Sequence, residues 1–311
     1  MSIKGPSISS RIMLEIIKLV NIKKRQSYPP DVVVERVRRK NEKNKVVFPT
    51  GKDKEFYYST EITNEKFKTL RVQKEEKPSE KAILYIHGGG YLYPIYNRFI
   101  NDGKNICKKS GRDIWMPDYP LCTEYCITEV FDMVLNLYKQ MIKIYDPKNI
   151  AFIGYSAGAS LALGMGCHIN AVNEDIPMPG LIVSYSPATV PYMEEEKNEA
   201  LELNKTDVMI NAVFVNNHYE TVLKKGNENV PDYMIYTSLG DFTNFPKTHI
   251  YFATHEILYA ARKGLEKALQ KYQIDYQMHY CEGMFHCYPA FSMIKEAKEA
   301  YKELYEYLEN N

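Results

Sequence analysis

Ser156 stands in Gly154-Tyr155-Ser156-Ala157-Gly158, between the apolar run Ile150–Ile153 and an Ala/Leu-rich stretch that begins at Ala157. A serine with glycine two residues away on each side, where a strand would turn into a helix, is the nucleophile-elbow pattern. The spacing has a physical basis. A sharp turn holds the serine in a strained backbone conformation that lifts its hydroxyl clear of the chain, and it leaves no room for side chains at positions 154 and 158. The helix that follows directs unpaired N–H groups and a partial positive charge at the reacting centre. The chemistry this suits is attack on a carbonyl, which also needs a cradle for the oxyanion, a base, and an acid to orient the base.

Each of those partners has a candidate. In His87-Gly88-Gly89-Gly90-Tyr91, directly after the apolar run Ala82–Ile86, three successive glycines let backbone N–H groups point into a cavity. Gly88 and Gly89, with the N–H of Ala157, would hold the oxyanion. A phosphate loop is the alternative, but neither Gly-x-Gly-x-x-Gly nor Gly-Lys-Ser/Thr spacing is present. His286, in a loop after the last strand-like run, is the candidate base. Glu256, in Thr254-His255-Glu256-Ile257-Leu258, would accept its Nδ1 proton and fix its tautomer. A carboxylate there could instead serve only a helix dipole. Asp241 is a second candidate acid but lies before its strand begins. His279, Cys281, His286 and Cys287 crowd together without the two- to four-residue gaps of a zinc site, so no metal is expected. Tyr91, Tyr155, Tyr93 and Tyr192 are candidates to line a modest aromatic substrate pocket.

These residues have to be positioned by the elements around them. Ala82–Ile86, Asp113–Met116, Ile150–Ile153, Leu181–Tyr185, His249–Ala253 and Tyr276–Tyr280 are apolar runs of strand length. They alternate with helical stretches near 97–110, 124–145, 157–172 and 257–272, and Phe291, Ile294, Ala297, Tyr301, Leu304 and Leu308 mark a last helix. That rhythm implies an α/β fold with a mostly parallel sheet covered on both faces. Two earlier segments, 55–58 and 67–72, read as an antiparallel edge pair. Between Pro187 and Pro246 the rhythm breaks. A structureless loop of that length is improbable in a compact domain, so an inserted helical piece is expected. Residues 1–54 carry nine Lys and five Arg against five Asp/Glu, and Ile12, Met13, Ile16, Ile17 and Val20 recur at helical spacing. A helix packed on the rest of the protein is the expected reading, with a cationic membrane-surface helix as the alternative. The acidic run Glu194–Glu196 in the insertion suggests that the two segments pack together as a cap over the sheet, with 55–311 as the main domain.

Read together, the motifs resemble those of α/β-hydrolases, in particular esterases of the hormone-sensitive-lipase-like group, with its His-Gly-Gly-Gly loop and Gly-x-Ser-Ala-Gly elbow. Asp118-Tyr119-Pro120-Leu121-Cys122-Thr123-Glu124 is similar to the Asp-Tyr-Arg-Leu-Ala-Pro-Glu segment of that group. The resemblance covers roughly residues 80–310 and implies the chain order Ser156, acid, His286 on one central sheet with a helical cap. Two positions depart from it: Tyr155 stands where many members have Asp, and Glu256-Ile257-Leu258 stands where the acid motif is usually Asp-Pro-Leu. The implied activity is cleavage of a small-molecule carboxylic ester, of short acyl chain, through an acyl-enzyme. The same machinery could open an amide, or a hydrolase-like cavity could bind a small ligand without turning it over.

Bulk properties narrow the field. Hydrophobic residues make up 45% and charged residues 25% of the 311, with forty basic against thirty-nine acidic side chains. No global field points to nucleic acid. No run approaches a membrane span, and Glu15 and Lys18 interrupt any signal-peptide core, so no stable membrane insertion is expected. Six dispersed cysteines suit reduced thiols and a cytoplasmic setting. No cofactor is implied, and a homodimer is compatible with the composition.

Overall fold

The computed structural model describes residues 5–172 and 174–311. The central strands form from continuous buried runs. Ala82–Ile86 (β4), Asp113–Pro117 (β5), Ile150–Tyr155 (β6) and Leu181–Tyr185 (β7) are buried at every position, as strands covered on both faces must be. With Lys247–Ala253 (β8) and Tyr276–Cys281 (β9), they make a parallel array. Gly51–Lys52 (β1), Tyr57–Thr63 (β2) and Phe67–Gln73 (β3) add an antiparallel margin. The nine strands run in the order β1-β2-β3-β5-β4-β6-β7-β8-β9.

The edge pair is longer than the sequence pattern suggested. β2 continues through the polar Ser59-Thr60-Glu61 because β3 offers a partner at every step from Tyr57↔Gln73 to Thr63↔Phe67, and an outer strand needs little apolar surface. Helices Asn97–Ser110 (α3), Ile127–Met141 (α4), Ala157–Ala171 (α5), Arg262–Lys271 (α9) and Lys295–Glu309 (α10) cover the sheet. α4 starts at Ile127, later than the expected 124, where the Glu129 carboxylate accepts the Cys126 N–H at 3.0 Å and caps the first turn. Residues Ile257–Ala261 form a 3₁₀ turn ahead of α9, not part of one long helix.

Strand alternation divides the core into two layers. Leu84, Phe152 and Ile250 face one side with α4, α5 and α9, whereas Ile83, Ile153 and Val183 face the other with α3 and α10. On that second face the rings of Tyr85, Tyr155, Tyr185 and Tyr251 pack side by side across four neighbouring strands, with centroid separations of 5.6, 4.9 and 4.8 Å. This tyrosine ladder is continuous with a buried polar knot, in which Asp102 accepts from Tyr85 at 2.7 Å and from Tyr301.

The N-terminal segment holds Ile8–Val20 (α1) and Pro30–Lys43 (α2), and the 187–246 insertion holds Glu194–Leu203 (α6), Ala212–Phe214 (α7) and Glu220–Lys224 (α8) with short turns and no strand. They touch through polar links: Lys23 Nζ donates to Asp207 O at 2.9 Å, Gln26 Nε2 donates to Met209 O at 3.0 Å, and Asn211 N donates to Gln26 Oε1 at 2.9 Å. The α1 helix anchors by Ile17 and by Ser7, whose N–H and hydroxyl both donate to the buried Glu296 carboxylate at 2.6 and 2.9 Å. Its opposite face, Ile8, Ile12, Ile16, Leu19 and Val20, is exposed, so packing accounts for only part of the apolar pattern. No helix among the described residues is long and apolar enough to cross a membrane.

Candidate active site

Loops at the carboxyl ends of β4, β6, β8 and β9 converge, the position where open α/β sheets place their sites. Ser156 caps β6 with φ 54° and ψ −119°, a conformation costly for a residue with a side chain. Hydrogen bonds hold it there: its N–H donates to Tyr185 O at 2.9 Å, and its carbonyl accepts from Ala159, Ser160 and Ala188. The glycines on either side are needed for space. A Cβ at Gly154 would fall 2.1 Å from Gly158 O, and one at Gly158 would fall 2.2 Å from Ile86 O. Strand β6, helix α5 and the end of β4 therefore touch backbone to backbone.

Three side chains from separate loops meet in a line. His286 Nε2 lies 2.8 Å from Ser156 Oγ, and His286 Nδ1 lies 2.5 Å from Glu256 Oε2. A carboxylate can only accept, so Nδ1 carries a proton, and in the neutral ring Nε2 is free to take one from the serine. Glu256 is fully buried, and its other oxygen accepts the Ala253 N–H at 2.9 Å, which fixes the carboxylate plane. Burial opposes charging His286, but Cys287 and Glu256 outweigh it, so its pKa stands well above the ordinary imidazole value. The backbone behind His286 is fixed by Ser186, whose hydroxyl accepts the Cys287 N–H at 3.1 Å.

The glycine loop folds against this line. His87 Nδ1 donates to Gly88 O at 2.7 Å, and Leu92 and Tyr93 N–H groups donate to Gly89 O at 3.0 and 3.1 Å. In a trans peptide the N–H lies opposite the carbonyl, so anchoring Gly88 O turns the Gly89 N–H the other way. Among the described residues, the N–H groups of Gly88, Gly89 and Ala157 have no backbone acceptor. Gly89 and Gly90 adopt φ 133° and 62°, open to glycine but strained for other residues. Beneath the loop His87 is buried and stacked on Tyr119 at 4.2 Å, and burial lowers its pKa to about 4, so it stays neutral. Tyr119 OH donates to His87 O at 2.9 Å, and the Cys122 N–H donates to Tyr91 O at 2.7 Å, which ties the Asp118–Glu124 segment under the loop.

The line of side chains opens into a cavity of about 520 Å³, the size of a small-molecule site. Serine, histidine and buried acid in this chain order on a parallel sheet point to one family, and a family model of the alpha/beta hydrolase fold matches residues 83–290. The chain belongs to the alpha/beta hydrolase family. Among the relatives of this hydrolase is the esterase LipU of Mycobacterium tuberculosis, 25% identical over 236 residues, covering 74% of this chain and 78% of the relative. An esterase of Acinetobacter venetianus is 23% identical over 242 residues, with 75% and 76% coverage. Among solved structures, an esterase/lipase from an uncultured bacterium superposes with a TM-score of 0.77 at 18% identity, over 98% of each chain. An esterase from the bacterial hormone-sensitive lipase family gives 0.74 at 19% identity, again over 98% of each.

Within this hydrolase some expected residues lie elsewhere. Tyr155 borders the cavity, but its ring is buried in the tyrosine ladder and its hydroxyl meets Tyr301 OH at 2.9 Å, so the ring is structural where a pocket role was expected. Tyr91 is also corrected: its side chain is buried near Tyr119 and is not part of the cavity wall. Tyr192 stays at the surface against Tyr236, whereas Tyr93 does line the cavity. Asp241 is exposed and caps its own turn, accepting from Thr243 N at 2.8 Å. His279 faces His249 at 3.3 Å and stacks on Tyr251, apart from His286, and the described residues hold no cluster of three metal-ligating groups. All six cysteines are free.

Sequence reasoning missed Asp207. Buried in the insertion, its Oδ2 accepts the Ile257 N–H at 2.9 Å, next to Glu256, and its Oδ1 accepts from Met209 and Ile210 at 2.7 and 2.9 Å. One carboxylate thereby joins the acid loop to the cavity wall. Its bonds to Met209 and Ile210 make an ordinary local turn, and the partner that gives it a role at the site, Ile257, lies 50 residues away.

Proposed function

We propose that the protein is a carboxylesterase that works by two-step acyl transfer on Ser156, with a preference for short acyl groups. The observation that carries this is the chain of contacts Ser156 Oγ, His286, Glu256, at 2.8 and 2.5 Å, beside N–H groups of Gly88, Gly89 and Ala157 that have no backbone acceptor among the described residues. His286 Nε2 takes the Ser156 proton as Oγ bonds to the ester carbonyl carbon, and the oxyanion is received by those N–H groups. The carbon–oxygen bond to the alcohol then breaks, and His286 returns the proton to the departing oxygen. Water, deprotonated by the same histidine, attacks the acyl-serine and releases the acid. Glu256 keeps the Nδ1 proton in place and stabilises the imidazolium in both steps.

Residues 1–54 and 187–246 serve as a cap. Met209, Ile210 and Phe214 from the insertion and Val33 and Val37 from α2 close an apolar cavity over the serine. Its 520 Å³ is shared between acyl and alcohol portions, and the aromatic groups Tyr93, Tyr96 and Phe99 limit chain length. The natural relatives are named esterases, which supports ester bonds as the target. The test is hydrolysis of a p-nitrophenyl ester series by the wild-type protein and by Ser156→Ala. Activity should peak at short acyl groups and vanish in the variant. Absence of turnover at every chain length would refute the esterase reading, and a maximum at long chains would refute the size limit.

A further inference from the structure

The wall of the cavity carries charge of one sign only. Arg25, Arg36, Lys40 and Arg98 line it, and no aspartate or glutamate does. This imbalance is local, since the whole chain is nearly neutral at a formal +1. Among the described residues three of the four carry no acidic partner, and Arg98 has only Asp102, one turn away in α3. Arg38, Arg39, Arg71 and Arg262 each have a carboxylate within 4.0 Å, but among the described residues none of the four cavity cations does. Their neighbours are aromatic rings and carbonyls. Arg36 sits 3.9 Å over Tyr28, Lys40 lies 5.3 Å from the Tyr93 ring, and Arg98 sits 4.2 Å over Phe291 while donating to Ala290 O at 2.7 Å.

Arg25 and Lys40 both reach Tyr93, Lys40 at 5.3 Å from its ring. Arg25 lies close enough to Tyr93 and Tyr96 to oppose the rise that burial gives their phenols. Burial and the same Arg25 together lower the pKa of Lys40. All four are solvent-exposed at the cavity mouth, where they face an entering molecule with no carboxylate among the lining residues. Arg98 enters from the first turn of α3, on a different element from the three cations of the N-terminal segment. The cations thus flank an otherwise apolar chamber that ends at Ser156, His286 and the glycine loop.

We infer that the preferred substrate is a small ester carrying a second, anionic group, a carboxylate or phosphate, which the Arg25–Lys40 pair and Arg98 receive at the cavity mouth while Ser156 attacks the ester carbonyl. This rests on the esterase reading above and adds the substrate class. A low-dielectric wall focuses the field of such a cluster, so the charge helps both capture and orientation. The anionic group stays ionised throughout, and the bond changes are those of the acyl transfer already described.

The experiment compares matched pairs of soluble esters that differ only in charge. On the alcohol side the pair is 4-acetoxybenzoate and 4-acetoxybenzamide; on the acyl side it is the monomethyl ester of adipate and its terminal amide. Rates are followed by proton release at low and high salt. The anionic member of at least one pair should show a kcat/KM about ten-fold higher at low ionic strength, and the ratio should shrink as salt screens the cluster. In Arg25→Gln, Lys40→Gln and the double variant the ratio should fall toward one, mostly through KM, and Arg25→Lys should restore part of it. A ratio of one or less in both pairs, with all four esters hydrolysed, would overturn the substrate class and leave the esterase reading standing. A preference that survives the double variant and Arg98→Gln would overturn the role of the cations. No preference among soluble esters, with turnover rising only on vesicles containing phosphatidylserine, would overturn it in favour of a lipid surface. Failure to hydrolyse any ester, the p-nitrophenyl series included, would remove the esterase reading and this inference with it.

Discussion

The floor and the roof of the cavity are built by different rules. The floor consists of loops at the ends of β4, β6, β8 and β9, and at the first two, close contacts admit few residue types: Gly158 against Ile86 O, Ser156 N–H on Tyr185 O, and Gly88 O on His87 Nδ1. The roof is formed by residues 22–43 and the insertion, held to one another by links from Lys23, Gln26 and Asn211 and to the floor through Asp207 and through Asn41, which donates to Leu92 O at 2.7 Å. Geometry for a chemical step has to hold within fractions of an ångström, whereas a cover has only to exclude water and shape a volume. The difference teaches where substitutions should destroy rate and where they should retune it.

The sharpest test of the floor is removal of its reacting groups. Ser156→Ala should lower kcat by about 10⁴-fold or more with an unchanged circular dichroism spectrum, since only a hydroxyl is lost. Glu256→Gln should cost about 10²- to 10⁴-fold in kcat, because Nδ1 loses its anionic acceptor. The same variant has a pH signature. The base must be neutral, so activity rises as pH climbs through the His286 pKa, which lies above the ordinary value in the wild-type protein. Without the Glu256 charge the imidazolium is less favoured, and the acid limb of kcat/KM should move to lower pH; an unmoved limb would mean that the Glu256 charge does not set the His286 pKa.

Smaller effects probe what holds floor and roof. Gly158→Ala should destabilise the fold by at least about 2 kcal/mol, read by chemical denaturation, because the new methyl meets the backbone of β4. Asp207→Asn keeps an acceptor but loses charge, and should change KM and kcat together by about five- to ten-fold as the acid loop and cavity wall loosen. Gln26→Ala, on the roof alone, should shift KM by no more than about three-fold and leave kcat near wild type. A roof substitution that matched the Glu256→Gln loss would erase the distinction between the two regions.

The sheet, the elbow, the glycine loop and the loops bearing Glu256 and His286 were legible because local chemistry dictates them: buried strands need continuous apolar runs, and the elbow and glycine loop need positions where only glycine fits. Tyr155 was misjudged for an instructive reason. It was named for an aromatic pocket, but alternation along β6 sends its ring to the opposite face, into a ladder with Tyr85, Tyr185 and Tyr251. Tyr91 failed for a related reason, since its positive φ of 56° turns the side chain under the loop. Asp207 and the cationic wall were out of reach because they arise from contacts between distant segments. The apolar stripe of α1 was visible in the sequence, but its exposure was not, since helical spacing shows a face without showing what covers it.

The central claim is that Ser156 carries the acyl group between the two steps. Rapid mixing with p-nitrophenyl acetate, acid quenching, and mass analysis of the proteolysed protein measures this directly. An acetyl adduct should appear on the peptide holding Ser156 within the first turnovers, accumulate further in Glu256→Gln if deacylation slows more than acylation, and be absent in Ser156→Ala. An adduct on another residue with turnover persisting in Ser156→Ala would contradict the account.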